Sequence, residues 1–158
     1  CYRALTFAEK NYKTITAIAK EERLERTMAA LAGKIHAAYR SQDFKSAVKN
    51  ILTLSDMGNS YFQQAEPWKD SANREGEVGW CVNVARNLAI MISPILPEFS
   101  AKVFAAFGGE GVEKMYWNNI SFDWKGKLNK IDRLVEKVEE LPQEKEFPLK
   151  LVVCEIKE

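Results

Sequence analysis

A chain of 158 residues that is 46% hydrophobic can build one sizeable core, and its length asks for no second complete domain. Lys and Arg number 23 against 22 Asp and Glu, so a formal net charge of +1 makes no global electrostatic case for nucleic acid or an anionic membrane, although residues 1–66 are modestly basic. Cys1, Cys81 and Cys154 are widely spaced and lack a C-x-x-C or His partner, which argues against a disulfide framework or a zinc site and fits a reducing cytoplasm.

No apolar run approaches a membrane span. The opening CYRALTFAEKNY has neither the apolar core of a signal peptide nor an initiator Met, so the chain is expected to begin within a longer protein. Leu5, Phe7, Ala8 and Tyr12 suggest a helix that runs out near Asn11 to Lys13, followed by a linker, TITAI. From Glu21, Leu24, Met28, Leu31, Ile35 and Tyr39 recur every three or four residues, one face of a helix of about five turns. Ser41 to Asp43 break the period, and Asp43 is a plausible N-cap for a second helix with Phe44, Val48, Ile51, Leu52, Ser55, Gly58 and Phe62 on its inner face. The two form a helical hairpin.

After the polar KDSANREGE, Trp80, Val84, Leu88, Met91 and Ile92 return to helical spacing until Ser93-Pro94. Pro97 sits at an expected first helical turn, leading to Val103, Phe104 and Phe107, with Gly108-Gly109 as the stop. The aromatic MYWNNISFDW precedes an amphipathic KGKLNKIDRLVEKVEEL, expected as a C-terminal helix, and the alternation in FPLKLVVCEIKE suggests a terminal strand. The fold class is therefore all-α, an antiparallel bundle of about five helices with a short terminal strand. Residues 1–140 form the bundle, and 141–158 a charged linker plus strand.

Catalytic machinery is hard to find. His36 lies among aliphatic residues without an acidic or Cys partner, and P-loop, dinucleotide, nucleophile-elbow and metal patterns are absent. Acidic runs such as Glu136, Glu139 and Glu140 suit a solvated helix face. Trp80, Trp117, Trp124, Phe104 and Phe107 are expected in packing.

Pro67-Trp68 is different. Pro67 fixes its own φ and drives Glu66 from the helical basin, so the helix from Asp43 must end there and hold Trp68 stiffly beyond it. Such a ring either folds back to cap the bundle end or serves as a stacking platform for a base, with Arg3, Asn59, Gln63 and Lys69 as candidate hydrogen-bonding neighbours.

YRALTFAEKNY, DMGNSYFQQAEPWK, VARNLAIMISPILPEFSAKVF and LNKID resemble, in order and approximate spacing, the anticodon-binding domain of methionyl-tRNA synthetases of the archaeal and eukaryotic-like branch. The similarity covers roughly residues 1–140, and its most specific part is GNSYFQQAEPWK. The resemblance implies that Trp68 stacks on the first anticodon base of methionine tRNA, that Pro67 lies against the same nucleotide, and that Arg3 is one of a pair of base readers. Its Asn partner would fall upstream of Cys1.

By the same resemblance, Asn59 belongs to the matched pattern and Lys69 is a supporting candidate. The family's H-I-G-H and K-M-S-K-S motifs do not occur here, so methionine activation with ATP and Mg2+, with Zn2+ in members bearing a zinc insertion, is implied for a separate catalytic domain. FPLKLVVCEIKE resembles the first strand of a C-terminal tRNA-binding oligonucleotide-binding-fold module. The readings that compete are a helical protein-interaction scaffold and an anticodon-binding domain serving another class I synthetase.

Overall fold

The computed structural model describes residues 2–108, 116–131 and 134. Five α-helices lie among them: α1 (Tyr2–Asn11), α2 (Glu22–Arg40), α3 (Phe44–Ala65), α4 (Glu75–Ile92) and α5 (Pro97–Phe104). A two-residue strand β1 (Thr14–Ile15) pairs antiparallel with β2 (Gly126–Lys127), Thr14 opposite Lys127 and Ile15 opposite Gly126. The helical bundle is thus as expected, with this small ladder joining the segment expected as a linker to the start of the one expected as a C-terminal helix.

α2 and α3 form the hairpin. α2 buries Met28, Ala32, Ile35 and Ala38, with Leu24, Leu31 and Tyr39 half-buried beside them, and Gln42 makes the turn at a φ of 60°. The Asp43 carboxylate accepts from Ser46 N at 3.0 Å, satisfying one of the free donors of the first turn of α3. Along α3 the buried stripe is Ala47, Ile51, Leu54, Gly58 and Phe62. Phe44 and Leu52, expected on that face, are 55% and 57% exposed. The stripe follows Ala47, Ile51, Leu54 and Gly58, which places Leu52 off its edge, and Phe44 precedes it, its ring edge-on to Tyr39 at 6.3 Å.

α4 is the axis of the bundle. It packs against α1, α3 and α5, and every residue from Val78 to Met91 is buried. Two close approaches to α4 are made at glycine: a Cβ on Gly58 of α3 would stand 2.8 Å from Val84 Cγ1 of α4, and one on Gly79 of α4 would collide with the Ala17 carbonyl of the crossing linker. α5 begins with Pro97, where the missing N–H costs no helical hydrogen bond, and the chain turns away at Gly108 with a φ of 57°. Gly109, the other half of the expected stop, lies outside the described residues.

The segment 116–131 is where sequence periodicity misleads. A helix was expected from Lys125, yet residues 125–131 are extended or irregular. Their polar backbone groups are satisfied from other elements: Leu128 N donates to Lys13 O at 2.7 Å, Asn129 N donates to Ala106 O at 2.8 Å, and Asn129 Nδ2 donates to Ala105 O at 3.1 Å. Leu128, Ile131 and Leu134, whose three-residue spacing suggested a helix, are buried in the common core. The rest of that expected helix, the linker and the terminal strand lie outside the described residues. Among the described residues no helix is long and apolar enough to cross a membrane.

Candidate nucleic-acid interface

The last turn of α3 sets the site. Glu66 adopts the left-handed conformation (φ 42°, ψ 51°), so the chain leaves the helix sharply and Pro67 is buried at the exit. Pro67 disfavours the right-handed helical basin for the residue before it, and the structure resolves that conflict in the left-handed region rather than in an extended one. The loop that follows is tied down: Lys69 N donates to Glu66 O at 2.9 Å, and the Tyr12 hydroxyl at the end of α1 donates to Ser71 O. Trp68 is held between these anchors and remains 46% exposed.

Part of Trp68 is in contact with the bundle. Its ring meets Phe62 at 6.0 Å and 58°, and Phe62 meets Phe7 edge-on at 5.9 Å, which in turn meets Tyr12 at 6.3 Å. The ring leans on Phe62 with part of its surface, as a cap on the bundle end would, and leaves the rest exposed to solvent. Arg3, exposed in the first turn of α1, lies over Phe62 with its Cζ 5.8 Å from the ring centroid. Phe62 thus stands between Arg3 and Trp68.

A groove of about 310 Å³ runs between α1 and this loop. Phe7, Phe62 and Trp68 give it aromatic walls, Tyr2 and Thr6 extend it along α1, and Arg3 and Lys10 supply positive charge. An open aromatic groove with two cations can take a flat ring and a neighbouring phosphate. Arg3 also borders a separate small cleft of about 40 Å³ behind the groove, where Asn59 lies beside Gly58 and buried Cys81. Burial pushes the Cys81 thiol up to about 12, which leaves it a protonated packing group.

The structure brings together Trp68, Pro67 and Arg3 at one end of the bundle. Asn59 is exposed and does not line the groove, although it shares the small cleft with Arg3. Lys69 makes an exposed ion pair with Glu66 at 2.7 Å and is not among the residues lining the groove. Sequence reading did not single out Phe62 as the ring beneath Arg3, nor Tyr2, Thr6 and Lys10 as groove residues. Their spacing of four on α1 was the available signal, because it places them on one helix face.

His36 is exposed, its ring 5.3 Å from that of Trp117. Trp80, Phe104 and Phe107 are fully buried and Trp117 and Trp124 pack half-buried against the core, as expected of them. Among the described residues no group of three or more His, Cys, Asp and Glu is placed to hold a metal ion.

Comparison with known proteins agrees with this architecture. Methionine–tRNA ligase of Methanosarcina mazei is 30% identical over 113 residues, covering 69% of this chain and 16% of that protein. The Borreliella burgdorferi ligase is 29% identical over 175 residues, covering 92% of this chain and 24% of that protein. The chain spans between about a sixth and a quarter of these relatives. Methionyl-tRNA synthetase of Mycobacterium tuberculosis in its free state superposes with a TM-score of 0.73 at 18% identity, over 89% of this chain and 31% of that one, and its methionyl-adenylate complex with a TM-score of 0.68 over 84% and 29%. That likeness establishes a shared fold. Residues 13–137 match the family model described as the anticodon binding domain of methionyl tRNA ligase, and the chain belongs to that family.

Proposed function

We propose that this chain reads the anticodon loop of methionine tRNA, with Trp68 as the stacking ring for the first anticodon base, Pro67 as its rigid support and Arg3 as a donor to the base edge or phosphate. The observation that carries the reading is the half-exposed Trp68, fixed by a buried proline and sharing Phe62 with an exposed arginine. Stacking holds any base, because every base has a π-face, and hydrogen bonds from a guanidinium select among them. Bases of an anticodon loop can be splayed out to meet such a surface.

Attachment of methionine to the tRNA, with ATP and Mg2+, would fall to other parts of a longer ligase, in which this chain positions the substrate by its anticodon arm. That role places the protein in the cytoplasm, with the ligase's catalytic domain and the tRNA as its partners. A C-terminal tRNA-binding module beginning near residue 147 would add affinity that this bundle does not supply. Asn59 and Lys69 are secondary contacts on this reading, Lys69 only after release from Glu66.

The test is titration of the chain with a fluorescent anticodon stem-loop bearing CAU, beside one with its first base changed, at low and moderate salt. Binding should weaken with salt as phosphate contacts release counterions. Trp68→Ala should cost about 1–3 kcal/mol of affinity for the CAU loop, roughly 5-fold to 150-fold. Unchanged affinity in that variant would remove Trp68 from the reading, and a chain that binds neither loop would favour a protein-interaction scaffold.

A further inference from the structure

Arg3 is constrained in two directions. The Phe62 ring lies under its guanidinium, with Cζ 5.8 Å from the centroid, and gives it an apolar floor. Gln63, the next residue on α3, fixes the rotation. With its amide turned oxygen-first, as the two facing donors require, Gln63 Oε1 accepts from Arg3 Nη1 at 2.7 Å and from Nη2 at 3.3 Å. A single oxygen seated between the two terminal nitrogens engages one hydrogen on each. The outer hydrogen of each terminal nitrogen and the Nε–H remain directed elsewhere, since a guanidinium carries five donors in a fixed fork.

We infer that Gln63 is a positioning residue, holding the Arg3 guanidinium in the orientation that lets it discriminate the base stacked on Trp68. The inference rests on the anticodon reading above. An arginine side chain loses substantial rotamer freedom when it is fixed, and a neighbour that has already fixed it lowers the cost at the moment of binding. The chemistry of the neighbour matters too. A carboxylate at this position would hold the guanidinium but cancel its charge and repel phosphate, whereas an amide oxygen aligns it and leaves the positive charge intact for RNA. Gln63 and Phe62 lie in the last turn of the same helix whose exit carries Trp68, so clamp, floor and stacking ring share one rigid element. Gln63 is itself exposed, which separates this role from any contribution to the core.

The experiment is a double-mutant cycle of Gln63→Met and Arg3→Ala in this chain, read as affinity for the CAU loop and for the loop with its first base changed. Methionine keeps the length of the side chain and removes the oxygen. Gln63→Met alone should lower the affinity ratio between the two loops by roughly 2-fold to 10-fold, the range of one hydrogen bond, and should have no effect in the Arg3→Ala background. Gln63→Glu should restore the ratio, since an oxygen again faces Arg3, while weakening binding to both loops through its charge. Arginine side-chain NMR of the free protein gives a readout independent of RNA: rotation of the Arg3 terminal nitrogens should be slow in the native chain and fast in Gln63→Met.

An unchanged ratio in Gln63→Met, or an equal effect with and without Arg3, overturns the inference and leaves the anticodon reading standing. If the native chain binds neither loop, or binds both equally, the reading of the first base by Arg3 falls and the positioning role of Gln63 falls with it. Equal Arg3 mobility in the native chain and the variant overturns the clamp whatever the RNA result.

Discussion

Two arginines of this protein lie over phenylalanine rings at nearly the same distance, and they do opposite things. Arg86, in the middle of α4, is 4% exposed, has its Cζ 5.5 Å from the Phe104 centroid, and donates from Nη1 to Asn119 O at 2.7 Å. Arg3, at the start of α1, has its Cζ 5.8 Å from the Phe62 centroid and is exposed. Around Arg86 the surroundings are closed. Asn83 donates from Nδ2 to Trp124 O at 3.1 Å and accepts from Trp124 N at 2.9 Å, while Asn87 makes the same pair with Ser121 at 2.8 and 3.2 Å. At spacings of three and four, these side chains form a polar seam on α4 that satisfies backbone groups of the irregular segment from Asn119 to Trp124.

Around Arg3 the Phe62 ring is buried, but Trp68 beside it is half-exposed, and the guanidinium is aligned by a single amide oxygen. The same residue types make a fastening where their hydrogen bonds are closed by backbone and buried, and an accessible surface where they are oriented and left in solvent.

That contrast is broken most severely at Asn83. Asn83→Leu keeps the volume but strands the N–H and the carbonyl of Trp124, and each costs about 1–3 kcal/mol, so a loss of about 2–6 kcal/mol is expected in urea unfolding at pH 7. Trp68→Ala, removing a larger side chain from the other region, should cost stability far less than it costs RNA binding. If Asn83→Leu were as mild as a surface substitution, the seam would not be what holds the 119–124 segment.

The seam was also the part that the sequence concealed. Helical spacing located α2 to α4 because apolar residues repeated there, and Pro67, Pro97 and Asp43 announced ends through backbone chemistry that acts locally. In α4 the repeat of Trp80, Val84, Leu88 and Met91 marked one face of a helix that turned out to be buried on every side, and nothing in that repeat singled out Asn83, Arg86 and Asn87. Only the return of a distant segment made them interior. For the same reason residues 128–131, spaced like a helix, are irregular: Leu128 N donates to Lys13 O and Asn129 N to Ala106 O, each more than twenty residues away. Trp68 was legible because Pro67 fixes it locally, whereas Phe62 and Gln63 acquire their relation to Arg3 only when α1 meets α3.

A smaller change sharpens the comparison from the other side. Thr6 on α1 is half-buried with Oγ1 enclosed and without a hydrogen-bond partner in the structure, beside the groove that Trp68 completes. In the seam every comparable polar group of Asn83 and Asn87 is satisfied. Thr6→Val should therefore stabilise the protein by about 1 kcal/mol, because it removes an unsatisfied hydroxyl and keeps the branched shape. A loss of stability would show that the hydroxyl is satisfied in solution, and that the groove side is as closed as the seam.

The smallest expected effect lies at the joint between the two regions. Glu75, the first residue of α4, accepts from Thr16 N at 2.7 Å, from Thr16 Oγ1 at 2.8 Å and from Ala17 N at 3.1 Å, so it ties the linker leaving α1 to the helix that carries the seam. The backbone N–H of Thr16 contributes most to holding its carboxyl below the usual glutamate value of 4.5, with the Thr16 hydroxyl next. A carboxylate whose folded pKa is depressed stabilises the fold fully above the unfolded value and loses that contribution as pH falls through the folded one. Stability should accordingly decline below about pH 4.5, and Glu75→Gln should lower Tm at pH 7 while flattening that part of the acid limb. Melting curves of the two proteins at pH 7, 5, 4 and 3 decide it: if they stay parallel, the joint is held by the Ala19 N to Gly76 O bond at 2.8 Å and the β1–β2 ladder without help from the carboxylate.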